Sequence, residues 1–355
     1  MIITPLSFPG AWADRQLVRD AGGVPSTIRT MARVFSGIQP TGDVHLGNYL
    51  GAVKRWVATQ HDEAIYCIVD LHALTIPKDP AELRAKTIEL TQIMVAAGMD
   101  PEVVTLFAQS QVPEHAELGW IMACTAAFGE LRRMTQFKEK ADRADFVSAG
   151  LFSYPALQAG DILLYDTDEV PVGDDQRQHV ELARDLAVRF NNRYGDTFVV
   201  PKHVIPPVGA RIMDLQNPDR KMSKSQDSPQ GTVLVLDPPD SIDRKFRRAV
   251  TDSEAKVRYD PVAKPGVSNL LTILAAATGG DPDTLADNYT QYGPLKADAA
   301  EAVIELVRPL QANYADLAAQ PGEAERILRQ GADKARVTAR ATMARVREHL
   351  GLPAI

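Results

Sequence analysis

The chain has 355 residues, enough for one long or two ordinary domains with a sizeable core, and its 45% hydrophobic and 24% charged content is that of an ordinary globular enzyme. A net charge of −7 argues against a globally basic coat for nucleic acid, so any RNA contact has to come from a local patch. Cys67 and Cys124 give no disulfide framework or zinc site, no apolar run reaches membrane length, and Asp14, Arg15, Arg19 and Asp20 interrupt any signal-peptide core; a cytoplasmic chain is expected.

Residues 1–31, punctuated by Pro5, Pro9, Gly10, Gly22, Gly23 and Pro25, read as an extension outside the core fold, either a disordered tail or a partner-docking one through Trp12. Val34–Ile38 is a short strand pattern. The turn Gly37-Ile38-Gln39-Pro40-Thr41-Gly42 follows, and then Asp43-Val44-His45-Leu46-Gly47-Asn48 opens a helix with Leu50, Val53 and Val57 on one face. Such a helix start offers unpaired N–H groups and a positive dipole end to an anion. Gly42 and Gly47 permit close approach of a nucleotide, with His45 and Asn48 as added donors; an N-cap with a surface histidine is the alternative.

Ile65–Leu71 is a near-continuous apolar run, as in a strand buried on both faces of a parallel sheet. Asp70 and His72 fall at its carboxyl end, where open α/β sheets place ligands. Asp79 caps a helix with Pro80 in its first turn and Glu82 at the capping-box position, and Gly98 ends it. Val103–Ala108 is a further strand. This rhythm predicts an α/β fold, a Rossmann-like doubly wound parallel sheet, and without Gly-x-Gly-x-x-Gly no nicotinamide cofactor is indicated.

Residues 113–165 read as mostly helical. Tyr154, Gln158, Asp161 and Tyr165 recur on one helical face of an apolar run, where an aspartate needs a donor. That face is either a pocket wall or a structural aspartate bonded to backbone or a neighbouring helix. Val170-Pro171-Val172-Gly173-Asp174-Asp175-Gln176 runs from a strand end into a long helix (Val180, Leu182, Ala183, Leu186, Phe190) with Gly195 beyond it. Its two acids suit a helix cap or ribose hydroxyls.

Val199–Val208 and Ala210–Leu215 lead into Lys221-Met222-Ser223-Lys224-Ser225, set between the turn signals Asn217-Pro218 and Pro229-Gln230-Gly231. Two lysines and two hydroxyls without a carboxylate suit a loop that closes on polyphosphate; a solvated basic loop is the alternative. Val233–Leu236 closes this half and Asp237-Pro238-Pro239 marks a boundary. Beyond it, 240–251, 268–278, 283–290, 295–317 and 323–349 are candidate helices. Arg244, Lys245, Arg247 and Arg248, and then Lys334, Arg336, Arg340, Arg345 and Arg347, are the local basic densities able to hold phosphates, unless they are paired with acids.

The Gly-x-x-His-Leu-Gly-Asn turn and the Lys-Met-Ser-Lys-Ser loop together resemble the two signatures of class I aminoacyl-tRNA synthetases. Phe35–Gly42, Met134-Thr135-Gln136-Phe137-Lys138, Tyr154-Pro155, Asp161–Tyr165, Pro171–Gln176 and Val250-Thr251-Asp252-Ser253-Glu254 narrow it: from about residue 33 onward the chain is similar to bacterial tryptophanyl-tRNA synthetases. The resemblance implies a Rossmann-like catalytic domain over 32–237, with the helical insertion around 113–165, and a C-terminal all-α domain over 238–355 that binds the tRNA anticodon. It further implies a homodimer that uses ATP with Mg²⁺ to activate L-tryptophan and then charges tRNA(Trp), with no membrane role and no protein-held metal.

Residue by residue, the resemblance gives Gln39, Pro40, Thr41, Gly47 and Asn48 to ATP. It gives Gly173, Asp174 and Asp175 to the ribose, and Ile212 and Met222 to adenine. Lys221, Ser223, Lys224 and Ser225 fall to the departing pyrophosphate, with Lys221, Lys224, Ser225, His45 and Asn48 as the catalytic set. Asp161 would accept the indole N–H, and Tyr154 and Gln176 would hold the ammonium. Phe35, Gly37, His72, Val170 and Val172 would shape the pocket. Gln158 stands where many relatives have Met, which implies a more polar pocket open to substituted tryptophans. An indole nitrogen only donates, so an acceptor-only carboxylate suits it. Tyrosine also donates, so the preference for tryptophan rests on the resemblance; a tyrosyl-type enzyme and a synthetase-like RNA-binding or partner-binding paralogue are the alternatives.

Overall fold

Five short parallel strands make the central sheet: β1 Val34–Ile38, β2 Ala64–Ile68, β3 Thr105–Ala108, β4 Glu169–Pro171 and β5 Lys202–Val204. Their order is β3-β2-β1-β4-β5, so the chain starts in the middle, winds one way to β3 and then the other way to β5. The computed structural model describes residues 31–135, 147–204, 211–223 and 229–353. Residues 1–30 of the extension, Gln136–Lys140, 205–208 with Ala210, and Lys224 and Ser225 therefore lie outside the described residues.

The period of two along the strands sorts side chains into two cores. Tyr66 and Ile68 face one with Leu106 and Ala108; Ile65 and Cys67 face the other with Phe35 and Phe107. Helix α1 Leu46–Asn48 passes through a π-helical turn, Tyr49–Val53, into α2 Lys54–Ala58, and with α4 Pro80–Ala96 it covers the first face; α3 Asp70–Ala73 lies between them in the chain. On the second face lie α5 Glu114–Thr125, α6 Phe128–Arg132, α7 Ala149–Leu163 and α8 Arg177–Tyr194. The C-terminal helices are α9 Pro239–Arg247, α10 Pro265–Thr278, α11 Pro282–Ala286, α12 Tyr292–Ala318 and α13 Glu323–Leu350. Among the described residues no helix is long and apolar enough to cross a membrane.

Several expected strands are shorter than the sequence suggests. β2 stops at Ile68, where its partner β1 also ends at Ile38; the Val69 N–H makes a last bond to Ile38 O at 2.9 Å, and Asp70 then opens α3. Val103 and Val104 both donate to the Asp100 carbonyl, a turn that delays β3 to Thr105. Within 233–236 the sheet-like pairing is one antiparallel bridge between His45 and Leu234. Helix α7 ends at Leu163, so Tyr165 sits just past it rather than on its face.

Helix α13 lies along the edge strand β3 and joins the two cores, Ile327 and Leu328 in one and Ala332, Ala335, Ala339, Met343 and Val346 in the other. An exposed parallel edge invites wrong pairing, and a covering helix removes it. The approach is close enough that a Cβ on Gly331 would overlap the Leu106 carbonyl. Gly331→Ala should therefore cost about 3 kcal/mol, the upper range for overpacking a well-fitted contact. Chemical denaturation checks this; an unchanged midpoint would mean that the helix slides off β3 freely.

Candidate functional site

Because β1 and β4 are neighbours while their crossovers leave in opposite directions, the crevice outside their carboxyl ends is the switch point of the sheet. Gln39, Pro40 and Thr41 follow β1, and Val172 and Gly173 follow β4, so both expected nucleotide segments rim this crevice. A Cβ on Gly173 would come within 2.7 Å of the Asp175 carboxylate, so only glycine lets that acid fold back over the turn. Asp175 is exposed and accepts a bond from the Gln176 amide at 3.0 Å.

The turn at 45–48 is more self-contained than expected. His45 Nδ1 accepts the Asn48 N–H at 3.2 Å, Asn48 Oδ1 accepts the His45 N–H at 3.4 Å, and the Leu46 N–H donates to Val233 O at 2.8 Å. Three of the N–H groups that the sequence suggested for an anion are thus already used, two by a reciprocal capping box of side chains and one by the Val233 carbonyl. Gly47 is packed against that cap: a Cβ there would sit 3.0 Å from His45 Nδ1.

The lysine-rich segment is tied to this same turn through its stems. Met222 N donates to Ile212 O at 3.0 Å, Met213 bridges Lys221, and both Ile212 and Met222 are buried. Ile212 would lie 3.7 Å from a Cβ on Gly47. On the other stem Thr232 Oγ1 donates to Ser223 O at 3.0 Å, and the next residue, Val233, accepts from Leu46. Two motifs some 180 positions apart in the chain thus meet through 212, 222, 232 and 233. Asn269 on α10 pairs with both backbone groups of Met213, at 2.9 Å each, and fixes the first stem further.

Asp161 on α7 is 1% exposed. Its Oδ2 accepts from His72 Nε2 at 2.7 Å, and its Oδ1 from Gln109 Nε2 and His115 Nδ1, each at 2.6 Å. Burial drives this carboxyl upward; the charge of His72 and the hydrogen bonds from His115 and His72 outweigh it and lower it to about 2. Beyond the acid, His115 Nε2 meets the Tyr165 hydroxyl at 2.7 Å, and Tyr165 stacks on Phe35 at 5.8 Å. Burial first, and then the negative charges around it, push the Tyr165 phenol well up, so it keeps its proton. The Tyr154 hydroxyl meets His179 Nε2 at 2.9 Å, and its ring stands edge-on to His72 at 6.3 Å. Phe35, His72, Tyr154, Asp161 and Val170 are buried, whereas Gln158, Val172 and Gln176 are half-buried and Gly37 is exposed.

The sequence reading overlooked Gln109, His115 and His179. Gln109 had a readable signal, since it directly follows β3 at the carboxyl edge of the sheet. The two histidines lie in otherwise ordinary helices and carried none. In the other direction, Lys245 and four cations of α13 prove to be structurally paired. Lys245 is 7% exposed and bonds Thr232 O at 2.7 Å and Asp237 at 2.6 Å. On α13, Lys334 bonds Pro101 O and Glu102 O, Arg336 bonds Gln111 O, Arg345 pairs with Asp166, and Arg347 pairs with Glu117. These α13 cations tie the helix to the residues flanking β3, to α5 and to the turn after α7.

A family model described as "tRNA synthetases class I (W and Y)" matches residues 28–308. A tryptophan–tRNA ligase of Caldanaerobacter subterraneus subsp. tengcongensis is 53% identical over 325 residues, 91% of this chain and 99% of that one. Among solved structures, tryptophanyl-tRNA synthetase of Mycoplasma pneumoniae superposes with a TM-score of 0.85 at 36% identity, covering 91% of this chain and 98% of that one. The Campylobacter jejuni synthetase complexed with ADP and tryptophan gives 0.78 at 33% identity, covering 90% and 100%.

Proposed function

The chain belongs to the class I tRNA synthetases of the tryptophan and tyrosine group and acts as a tryptophan–tRNA ligase, and from that premise we propose which of its residues carry each step. In the first step the tryptophan carboxylate attacks the α-phosphorus of ATP and pyrophosphate leaves, so the protein needs no nucleophile. Positioning and charge neutralisation do the catalysis. Gln39, Pro40, Thr41, Gly47 and Asn48 hold ATP from the β1 side, Gly173, Asp174 and Asp175 hold the ribose, and Ile212 and Met222 flank the adenine. Lys221, Ser223, Lys224 and Ser225 take the charge that develops on the leaving pyrophosphate, with His45 and Asn48 opposite them. Mg²⁺ enters as the companion of the ATP phosphates.

The observation that carries this reading is the joining of the two signatures through the stems at 212–213, 221–223 and 232–233. Around it, Asp161 accepts the indole N–H, Tyr154 and Gln176 hold the ammonium, and Phe35, Gly37, His72, Gln158, Val170 and Val172 line the ring. The second step passes the acyl group to the 3′ end of tRNA(Trp), whose anticodon the helical region 238–355 binds while 32–237 does the chemistry in the cytoplasm. The test is ATP–pyrophosphate exchange with single amino acids: it should depend on L-tryptophan, and exchange driven equally by tyrosine would overturn the assignment.

The working form is a homodimer. Trp120 on α5 and Phe128 at the start of α6 are 72% and 68% exposed, and Trp120 and Leu352 line a cleft of about 260 Å³, apolar side chains that a subunit contact would cover. Sedimentation should give twice the 38.8 kDa chain mass, and a monomer at micromolar concentration would refute it.

A further inference from the structure

We propose that Gln109 and His115 are positioning residues for amino-acid recognition: by filling both acceptor sites of Asp161 Oδ1, they leave Oδ2, shared with His72, as the oxygen that takes the ring N–H of the substrate. The inference rests on Asp161 being the indole acceptor and specifies how that acceptor is prepared.

A carboxylate oxygen accepts about two good hydrogen bonds. Oδ1 receives Gln109 Nε2 and His115 Nδ1 at 2.6 Å each, whereas Oδ2 receives only His72 among the described residues. Both Oδ1 donors are themselves held. Gln109 Oε1 accepts the Leu71 N–H at 3.2 Å, which fixes the amide with its NH₂ toward Asp161. His115 must present Nδ1–H, because a carboxylate only accepts, and the Tyr165 hydroxyl on Nε2 stabilises that tautomer in the neutral ring. Gln109 and His115 are fully buried, so neither has a solvent role.

The titratable groups facing Asp161 are His72 from α3, His115 from α5, Tyr165 beyond α7 and Cys67 from β2. Burial raises the thiol of Cys67 and the phenol of Tyr165, which leaves both neutral, so the two imidazoles and the Gln109 amide are what oppose the upward push of burial on the acid. Without the Nδ1–H donor that opposition weakens, and the carboxyl takes up a proton at a higher pH. A protonated Asp161 is a poorer acceptor, so affinity for tryptophan then falls as the pH falls.

The experiment measures tryptophan affinity by equilibrium dialysis from pH 5 to 8, together with the KM for ATP. His115→Asn keeps an N–H where Nδ1 stood; His115→Gln puts its amide where Nε2 stood; His115→Leu removes both. We expect His115→Leu and His115→Gln to lose about tenfold in affinity at pH 5 relative to pH 8, measured against the wild-type profile. His115→Asn should follow the wild type, and the KM for ATP should be unchanged throughout. Gln109→Met carries the same expectation should the histidine variants not fold. Parallel profiles for His115→Asn and His115→Leu, or no acid loss in any variant, would overturn the inference. Wild-type tryptophan binding by Asp161→Ala would instead overturn the underlying reading, so the two failures are distinguishable.

Discussion

Replacing Asp161 with alanine is expected to weaken tryptophan binding by about 10²-fold while the KM for ATP stays within a factor of about two. A hydrogen bond to a charged group contributes about 1.5–3 kcal/mol, and each tenfold in affinity corresponds to about 1.4 kcal/mol. The loss is specific because Asp161 lies in a buried cluster with His72, Gln109 and His115, whereas the expected ATP contacts sit on the turns after β1 and β4. Equal losses for both substrates would make the aspartate part of the scaffold. The same variant has a signature in stability against pH. The folded carboxyl is lowered to about 2, against about 3.9 in an unfolded chain. Its contribution is therefore complete above about pH 4 and is lost as the pH falls toward 2. Thermal melts of the variant should lack that part of the acid sensitivity of the wild type, and identical acid profiles would contradict the assignment.

Lys224→Ala is expected to slow adenylate formation by roughly 10²–10³, the scale for losing one preorganised donor to developing transition-state charge, with tryptophan binding nearly unchanged. The stems beside this lysine are held by the Met222 N–H on Ile212 O and by the Thr232 hydroxyl on Ser223 O, bonds that the substitution does not touch. Pre-steady-state pyrophosphate release measures the step directly. A wild-type rate would remove this loop from the chemistry and leave the charge balance to the β1 turn alone.

Strand and helix positions were largely legible from periodicity. The apolar run that became β2, the Asp79–Pro80 start of α4 and the Gly195 stop of α8 all depend on near neighbours in the chain. The misjudged strand ends at 69–71 and 103–104 depended on partner length and on one carbonyl accepting twice, neither of which is visible along a single segment. Basic residues on α13 look alike in sequence whether they are free or paired. Arg345 and Arg347 find their acids 179 and 230 positions away.

By itself the sequence determined the alternating sheet, the two signature segments, and the demand of an aspartate in an apolar helix for donors, because period, turn chemistry and desolvation act within a few residues or within one side chain. Only the tertiary structure decided which groups answer that demand: Gln109 and His115 reach Asp161 from 52 and 46 positions away. It also decided that four cations of α13 are paired with groups beside β3, on α5 and after α7. Pairing of buried charges is long-range; it is settled by which helices pack together, and the pattern along one segment does not encode it.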